Sequence, residues 1–119
     1  ALGYQALTST YRTSGSTAIG FQAMSNFNDN NAVAADIISY NSALGYQAMQ
    51  GSTTPASNTG TYNTAIGYQA LKAMTSGSYN SALGTYSLAN NTSGGYNSAI
   101  GYQALYAKLL VIITLLLED

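Results

Sequence analysis

The sequence predicts an all-β repeat protein, a parallel β-solenoid in which one short unit is laid on the next, and three observations predict it. A seven-residue motif recurs six times: ALGYQAL from Ala1, AIGFQAM from Ala18, ALGYQAM from Ala43, AIGYQAL from Ala65, ALGTYSL from Ala82 and AIGYQAL from Ala99. Its glycines (Gly3, Gly20, Gly45, Gly67, Gly84 and Gly101) are spaced by 17, 25, 22, 17 and 17 residues, the short period of a chain built by stacking one unit on the next. Between the copies lie Ser/Thr/Asn/Gly clusters, such as Thr92-Ser93-Gly94-Gly95, which read as turns.

Alternation inside the motif favours an extended segment. In the last copy Ile100, Tyr102 and Ala104 are expected on one face, with Ala99, Gly101, Gln103 and Leu105 on the other. The second face is small at its centre, which admits another backbone at close range. A 17-residue repeat then accommodates a coil of two short strands and two corners, stacked at about 4.8 Å. The competing pattern is helical, since Gln69-Ala70-Leu71-Lys72-Ala73-Met74 is a good local helix former. The Gly, Ser, Thr and Asn content leaves only about eight helix-competent residues per unit, too few for a stable helix.

The remaining columns are as regular. Leu or Ile precedes each Gly, and Leu or Met stands four residues after it. An aromatic follows the Gly in five copies, giving the column Tyr4, Phe21, Tyr46, Tyr68 and Tyr102, with Thr85 as the exception. Gln comes next in the same five copies. A second column holds Tyr40, Tyr62, Tyr79 and Tyr96, each followed by an Asn (Asn41, Asn63, Asn80, Asn97), whereas the first full repeat has Gly15 and Ser16 there. Two repeats carry insertions, near residues 25–39 and 50–61, and the second holds the only proline, Pro55. Insertions on one edge of a stack emerge as loops on one face.

Residues 1–108 are thus expected to form six repeats. Residues 109–119 break the pattern with the apolar run Leu109 to Leu117, followed by Glu118-Asp119. Nine residues are too short for a membrane helix, which needs about 20. Leu109, Ile112, Ile113 and Leu116 are therefore candidates for an assembly contact, as a closing strand or as the start of a helical neck.

Composition narrows function mainly by exclusion. Three Lys/Arg and four Asp/Glu give a net charge of -1, with no basic surface for nucleic acid or an anionic membrane. With no cysteine there is no disulfide and no thiolate metal site. With no histidine either, the usual general base and common metal ligands are missing. Asp29 and Asp36 are the only carboxylates away from the C-terminus, and they read as solvated loop acids. A calcium site from Asp29, Asn30, Asn31 and Asp36 fits no known loop spacing. No catalytic residue, metal or cofactor is expected. The tyrosine columns have two readings: rings that stack on the ring above, with amide ladders beside them, or a platform for sugars. Asn90 and Asn91 both match the short N-x-S/T pattern, which Asn/Thr-rich sequence produces readily by chance.

The string [Asn/Ser]-[Ser/Thr]-Ala-[Ile/Leu]-Gly, at Ser16–Gly20, Asn41–Gly45, Asn63–Gly67, Asn80–Gly84 and Asn97–Gly101, resembles the head repeats of trimeric autotransporter adhesins. Its extension to Gly-Tyr-Gln-Ala-Leu is similar to repeats of bacteriophage tail fibres and related bacterial surface fibres. The resemblance covers residues 1–108, although adhesin head repeats are usually shorter. It implies a left-handed parallel β-roll in which three chains pack about an axis, used as a rigid fibre outside the cell or on a virion. The resulting expectation is a structural segment of an attachment fibre, extracellular, on a cell surface or on a virion. Its partners would be copies of itself and a host-surface glycan or protein receptor, with no nucleic acid and no membrane insertion. The alternatives are a head-to-tail filament subunit and a carbohydrate-binding module that uses the stacked tyrosines.

Overall fold

The computed structural model of the chain describes residues 1–8, 13–27, 37–54 and 57–106. Arg12, Asp29, Asp36, Pro55, Lys108 and the assembly candidates Leu109, Ile112, Ile113 and Leu116 lie outside these residues. Among the described residues the structure is all-β with almost no helix. Seven short strands follow one another: β1 (Thr13–Ser14), β2 (Thr17–Ile19), β3 (Ile37–Ile38), β4 (Ser42–Leu44), β5 (Thr64–Ile66), β6 (Ser81–Leu83) and β7 (Ser98–Ile100). Five form one parallel sheet in the order β2-β4-β5-β6-β7, and β1 pairs with β3. Leu2 adds a parallel bridge to Ile19, so all six motif copies lie side by side in chain order.

Pairing follows the sequence columns. Ala18 is opposite Ala43, Ala43 opposite Ala65, Ala65 opposite Ala82 and Ala82 opposite Ala99. The 25- and 22-residue repeats keep the same register as the 17-residue ones. Each motif strand buries only its central Ala and exposes the Ser or Thr before it and the Ile or Leu after it.

The extended segment is shorter than the alternation suggests. It ends at the motif Gly, so Tyr, Gln, Ala and Leu do not continue on alternating faces of a strand. In the repeat of Gly45, the Ala48 N–H donates to the Gly45 carbonyl at 3.3 Å and the Gln50 N–H to the Gln47 carbonyl at 3.2 Å. Two successive turns therefore follow the strand of the motif, and among the described residues a second strand appears in two repeats, as β1 and β3. The third residue of each turn, Gln47 and then Met49, is left-handed, with φ of 51° and 50°. A type II turn requires this geometry and usually fills the position with Gly. The same pair of left-handed residues recurs in every motif copy, from Gln5 and Leu7 to Gln103 and Leu105.

Such residues cost on the order of 1 kcal/mol each. The cost is offset because hydrogen bonding between repeats continues through the turns. The Gln47 N–H donates to the Phe21 carbonyl at 2.8 Å and the Met49 N–H to the Ala70 carbonyl at 2.8 Å. The second tyrosine column is left-handed as well, with φ from 47° at Tyr40 to 60° at Tyr79. Gly15 occupies that position in the first full repeat at φ 78°, which explains why the column begins there without a ring.

The interior is narrow. The inner repeats contribute the strand Ala, the turn Ala and the Leu or Met after it, such as Ala43, Ala48 and Met49 in one and Ala65, Ala70 and Leu71 in the next, while the fifth contributes Ala82 and Leu88. Phe27 and Met74 fill the remaining corner of their repeats. Beside this apolar strip runs a ladder of buried asparagines. Asn63 accepts from the Asn80 backbone N–H at 2.9 Å and from Asn80 Nδ2 at 3.0 Å, while its own Nδ2 donates to the Gly77 carbonyl at 2.8 Å. Asn41 serves Asn63 in the same way, through its Oδ1 at 2.8 Å, and Asn80 serves Asn97 at 3.0 Å. The side chain thus takes over backbone groups at a corner where no strand partner exists.

Backbone approach at the motif glycines limits everything else. A methyl group added at Gly3, Gly45 or Gly84 would sit 2.5 Å from the carbonyl oxygen of the motif Gly one repeat on. At Gly101 it would meet no described atom within 4 Å. Gly45→Ala is therefore expected to destabilise the protein by roughly 3 kcal/mol or more, and Gly101→Ala by clearly less. Urea titration of the two variants checks this, and equal losses would contradict it. Asn63→Leu, which orphans the Asn80 N–H and the Gly77 carbonyl, should cost about 2–4 kcal/mol. Asn97→Leu, at the end of the described ladder, should cost less by the same measurement.

Candidate functional site

Three surfaces differ in how strictly they repeat. The first is the outer face of the five-stranded sheet. Because only the strand Ala points inward, the Ile or Leu next to it stands outside, giving the stripe Leu2, Ile19, Leu44, Ile66, Leu83 and Ile100. Ile66 is 38% exposed and Leu44 46%, each shielded by its neighbours, while Ile100 reaches 79%. Beside the stripe runs a row of exposed hydroxyls: Thr17, Ser42, Thr64, Ser81 and Ser98.

The second surface holds the aromatic columns. The structure brings Tyr4, Phe21, Tyr46 and Tyr68 into one stack, with centroid separations of 5.4, 5.1 and 5.0 Å and nearly parallel planes. Tyr102 does not join it, because Thr85 occupies the place between. The other column runs unbroken through Tyr40, Tyr62, Tyr79 and Tyr96 at 5.2, 5.0 and 4.9 Å. These spacings match the rise between paired strands, so stacking is a consequence of register. A ring inside such a column has both faces covered and presents its edge to water. Alongside the first column runs a glutamine ladder: Gln22 donates to Gln5 at 2.7 Å, Gln47 to Gln22 at 2.8 Å and Gln69 to Gln47 at 2.8 Å.

The third surface is a groove of about 640 Å³ along the turn side, reaching from Asn26 in the second repeat to Tyr106 in the sixth. It passes the fifth repeat, which departs from the others and contributes Tyr86, Ala89, Asn90 and Thr92 to the lining. In Thr85-Tyr86-Ser87 the aromatic has moved one place, into the glutamine column. Tyr86 therefore ends the glutamine ladder at Gln69 and meets its neighbours edge-on. It lies 79° from the plane of Tyr68, 74° from Tyr102 and 89° from Tyr106. Ser87, in the place of the buried turn Ala, satisfies its hydroxyl by donating to the Ala99 carbonyl at 3.1 Å. Partial burial, and then the neighbouring phenols of Tyr68, Tyr102 and Tyr106, raise the Tyr86 pKa above its ordinary value of 10.0. The stability linked to that shift is full below pH ~10 and is lost as pH rises through the raised value. Lys72 lines the groove and is the one charged side chain among the described residues.

The sequence pattern singles out the aromatic after each Gly but gives no role to Lys72 or Tyr86. A signal for Tyr86 is present all the same, since its motif copy alone lacks Gly-aromatic-Gln. Among the described residues no group of His, Cys, Asp or Glu could hold a metal ion, and no helix is long and apolar enough to cross a membrane. The chain matches no family model, no curated protein and no solved structure.

Restoring the repeat in the fifth copy measures what its departure costs. Thr85→Tyr combined with Tyr86→Gln should extend both the ring stack and the glutamine ladder through all six repeats. The expected gain is about 1–2 kcal/mol, from two stacked ring pairs and added amide bonds, offset in part by the edge-on ring packing that Tyr86 gives up. It is read as a rise in thermal midpoint, and a fall would mean that Tyr86 is the better-packed solution.

Proposed function

We propose that the chain is a structural segment of a homotrimeric attachment fibre, extracellular or on a virion, built as a left-handed β-solenoid and without enzymatic activity. The observation that carries this reading is the aliphatic stripe. One Ile or Leu per repeat stands on the outer sheet face in strict register, while the interior beneath holds mainly alanine and one Leu or Met per repeat. A narrow core gives a single chain modest stability, and fully burying an exposed Leu or Ile contributes about 1.5–3 kcal/mol. A continuous apolar line of this kind suits association with identical lines on other copies. The sequence offers neither His nor Cys, which supports a mechanical rather than a chemical role.

Light scattering at several concentrations tests the assembly. A constant mass of three times 12.4 kDa is expected. A mass that grows without limit would favour the head-to-tail filament instead. Leu44→Asp with Ile66→Asp places charges on the stripe without touching the buried alanines. This variant should fall to single-chain mass while retaining its β-type circular dichroism. An unchanged trimer would exclude the stripe as the interface.

A further inference from the structure

We propose that the groove along the turns binds an unbranched acidic oligosaccharide, with Lys72 engaging a carboxylate or sulfate and Tyr86 and Tyr106 lying against sugar rings. The groove crosses the stack from the second repeat to the sixth, a run of roughly 20 Å at the strand spacing. A trench of that length suits an extended chain better than a compact small molecule. Its lining mixes amides and hydroxyls, among them Gln50, Gln69 and Asn90, with the small apolar Ala73 and Ala89, and the polar groups suit a ligand that carries hydroxyls. The two rings add apolar surface among these polar groups. Tyr86 lies outside either stacked column, edge-on to Tyr68, Tyr102 and Tyr106, and both Tyr86 and Tyr106 line the groove.

Two further observations point to a ligand. The glutamine ladder stops at Gln69, whose Nε2 donates to Gln47 while no described side chain continues the ladder onto its own Oε1. Gln69 lines the groove, and its amide oxygen is suited to accept from a sugar hydroxyl. In addition, Lys72 is the one charged side chain among the described residues, and it lines the same groove as Tyr86. One cation among many neutral polar groups fits a ligand with sparse negative charge. A nucleic acid, whose binding rests on many phosphate contacts, is poorly served by a chain with three Lys/Arg in all. The groove shares no residue with the aliphatic stripe, so the site does not require the trimer, although an attachment fibre would give it a use.

Calorimetry on the full chain tests the proposal with four probes: a hyaluronan hexasaccharide, a heparin hexasaccharide, neutral chitohexaose and a thymidine hexanucleotide. The sparsely charged hyaluronan hexasaccharide should bind about tenfold or more tightly than chitohexaose, and the densely charged heparin hexasaccharide no more tightly than hyaluronan. Lys72→Gln should weaken that binding by about tenfold or more, through removal of one charge-assisted hydrogen bond. Tyr86→Gln, which restores the residue found at this position in the other repeats, should weaken it about fivefold or more. Tyr46→Phe, within the stacked column, should leave it unchanged. Failure of every saccharide to bind, equal affinity for chitohexaose, indifference to Lys72→Gln, or tighter binding of the hexanucleotide would each overturn the proposal. Mass measured on the same samples separates the two readings. A single-chain protein that binds keeps the groove and loses the trimer, and a trimer that binds nothing does the reverse.

Discussion

The structure depends on one constraint: the backbone of each repeat must fit against the backbone of the next at the motif glycine. There the chain runs at φ between 121° and 139°, a conformation L side chains rarely adopt, and the next carbonyl occupies the place a side chain would take. Once that approach is fixed, the remaining atoms of the repeat lie one strand spacing from their equivalents. Hydrogen bonds can then link turns as well as strands, which is how the Gln and Leu/Met positions bear left-handed φ values that an isolated turn would assign to glycine.

The same constraint selects side chains. Any residue in a column meets its own kind about 4.8 Å away, so only self-complementary types are tolerated. Asn and Gln qualify because each amide both donates and accepts, as the ladders through Asn41, Asn63 and Asn80 and through Gln22 and Gln47 show. Aromatic rings qualify by stacking. Charged groups do not, since two like charges at that distance repel by about 1 kcal/mol even in bulk water and by more where solvent is partly excluded. The low charge content follows from the repeat itself, and it carries no information about where the protein resides.

Much of the fold is legible in the sequence, and the parts that are not have a common cause. The strand Ala, the close-approaching Gly and the register of the copies can be read because column identity reports directly on what repeats. The face on which Ile and Leu fall cannot, because period-two alternation assumes an extended chain, and Gln47 and Met49 are left-handed. The turn returns Ala48 and Met49 to the interior and leaves Leu44 outside, so alternation does not tell which of the large residues is buried. Tyr40 is equally opaque as a turn residue until Gly15, its counterpart one repeat earlier, is seen at a similar φ. The groove escapes for a different reason. Its lining includes Tyr86, which departs from the pattern, whereas reading by columns rewards agreement.

That asymmetry bears on where a repetitive protein can carry selectivity. On a perfect stack every surface feature occurs in all copies, so a ligand that binds one repeat binds its neighbours almost equally and gains no defined position. Position requires a break, and a break costs stability because the ladders and stacks on either side end there. In the fifth repeat the ring leaves its column, the glutamine ladder ends at Gln69, and Ser87 replaces a buried alanine while finding a carbonyl to satisfy its hydroxyl. The three changes are contiguous and adjoin the groove that holds Lys72. A single random substitution would disturb one column, whereas here a ring stack and an amide ladder are interrupted together while the backbone register of β5, β6 and β7 is kept. The stack is therefore intact at the level of the backbone and distinctive at the level of side chains, which is the combination that a rigid scaffold with one located site requires.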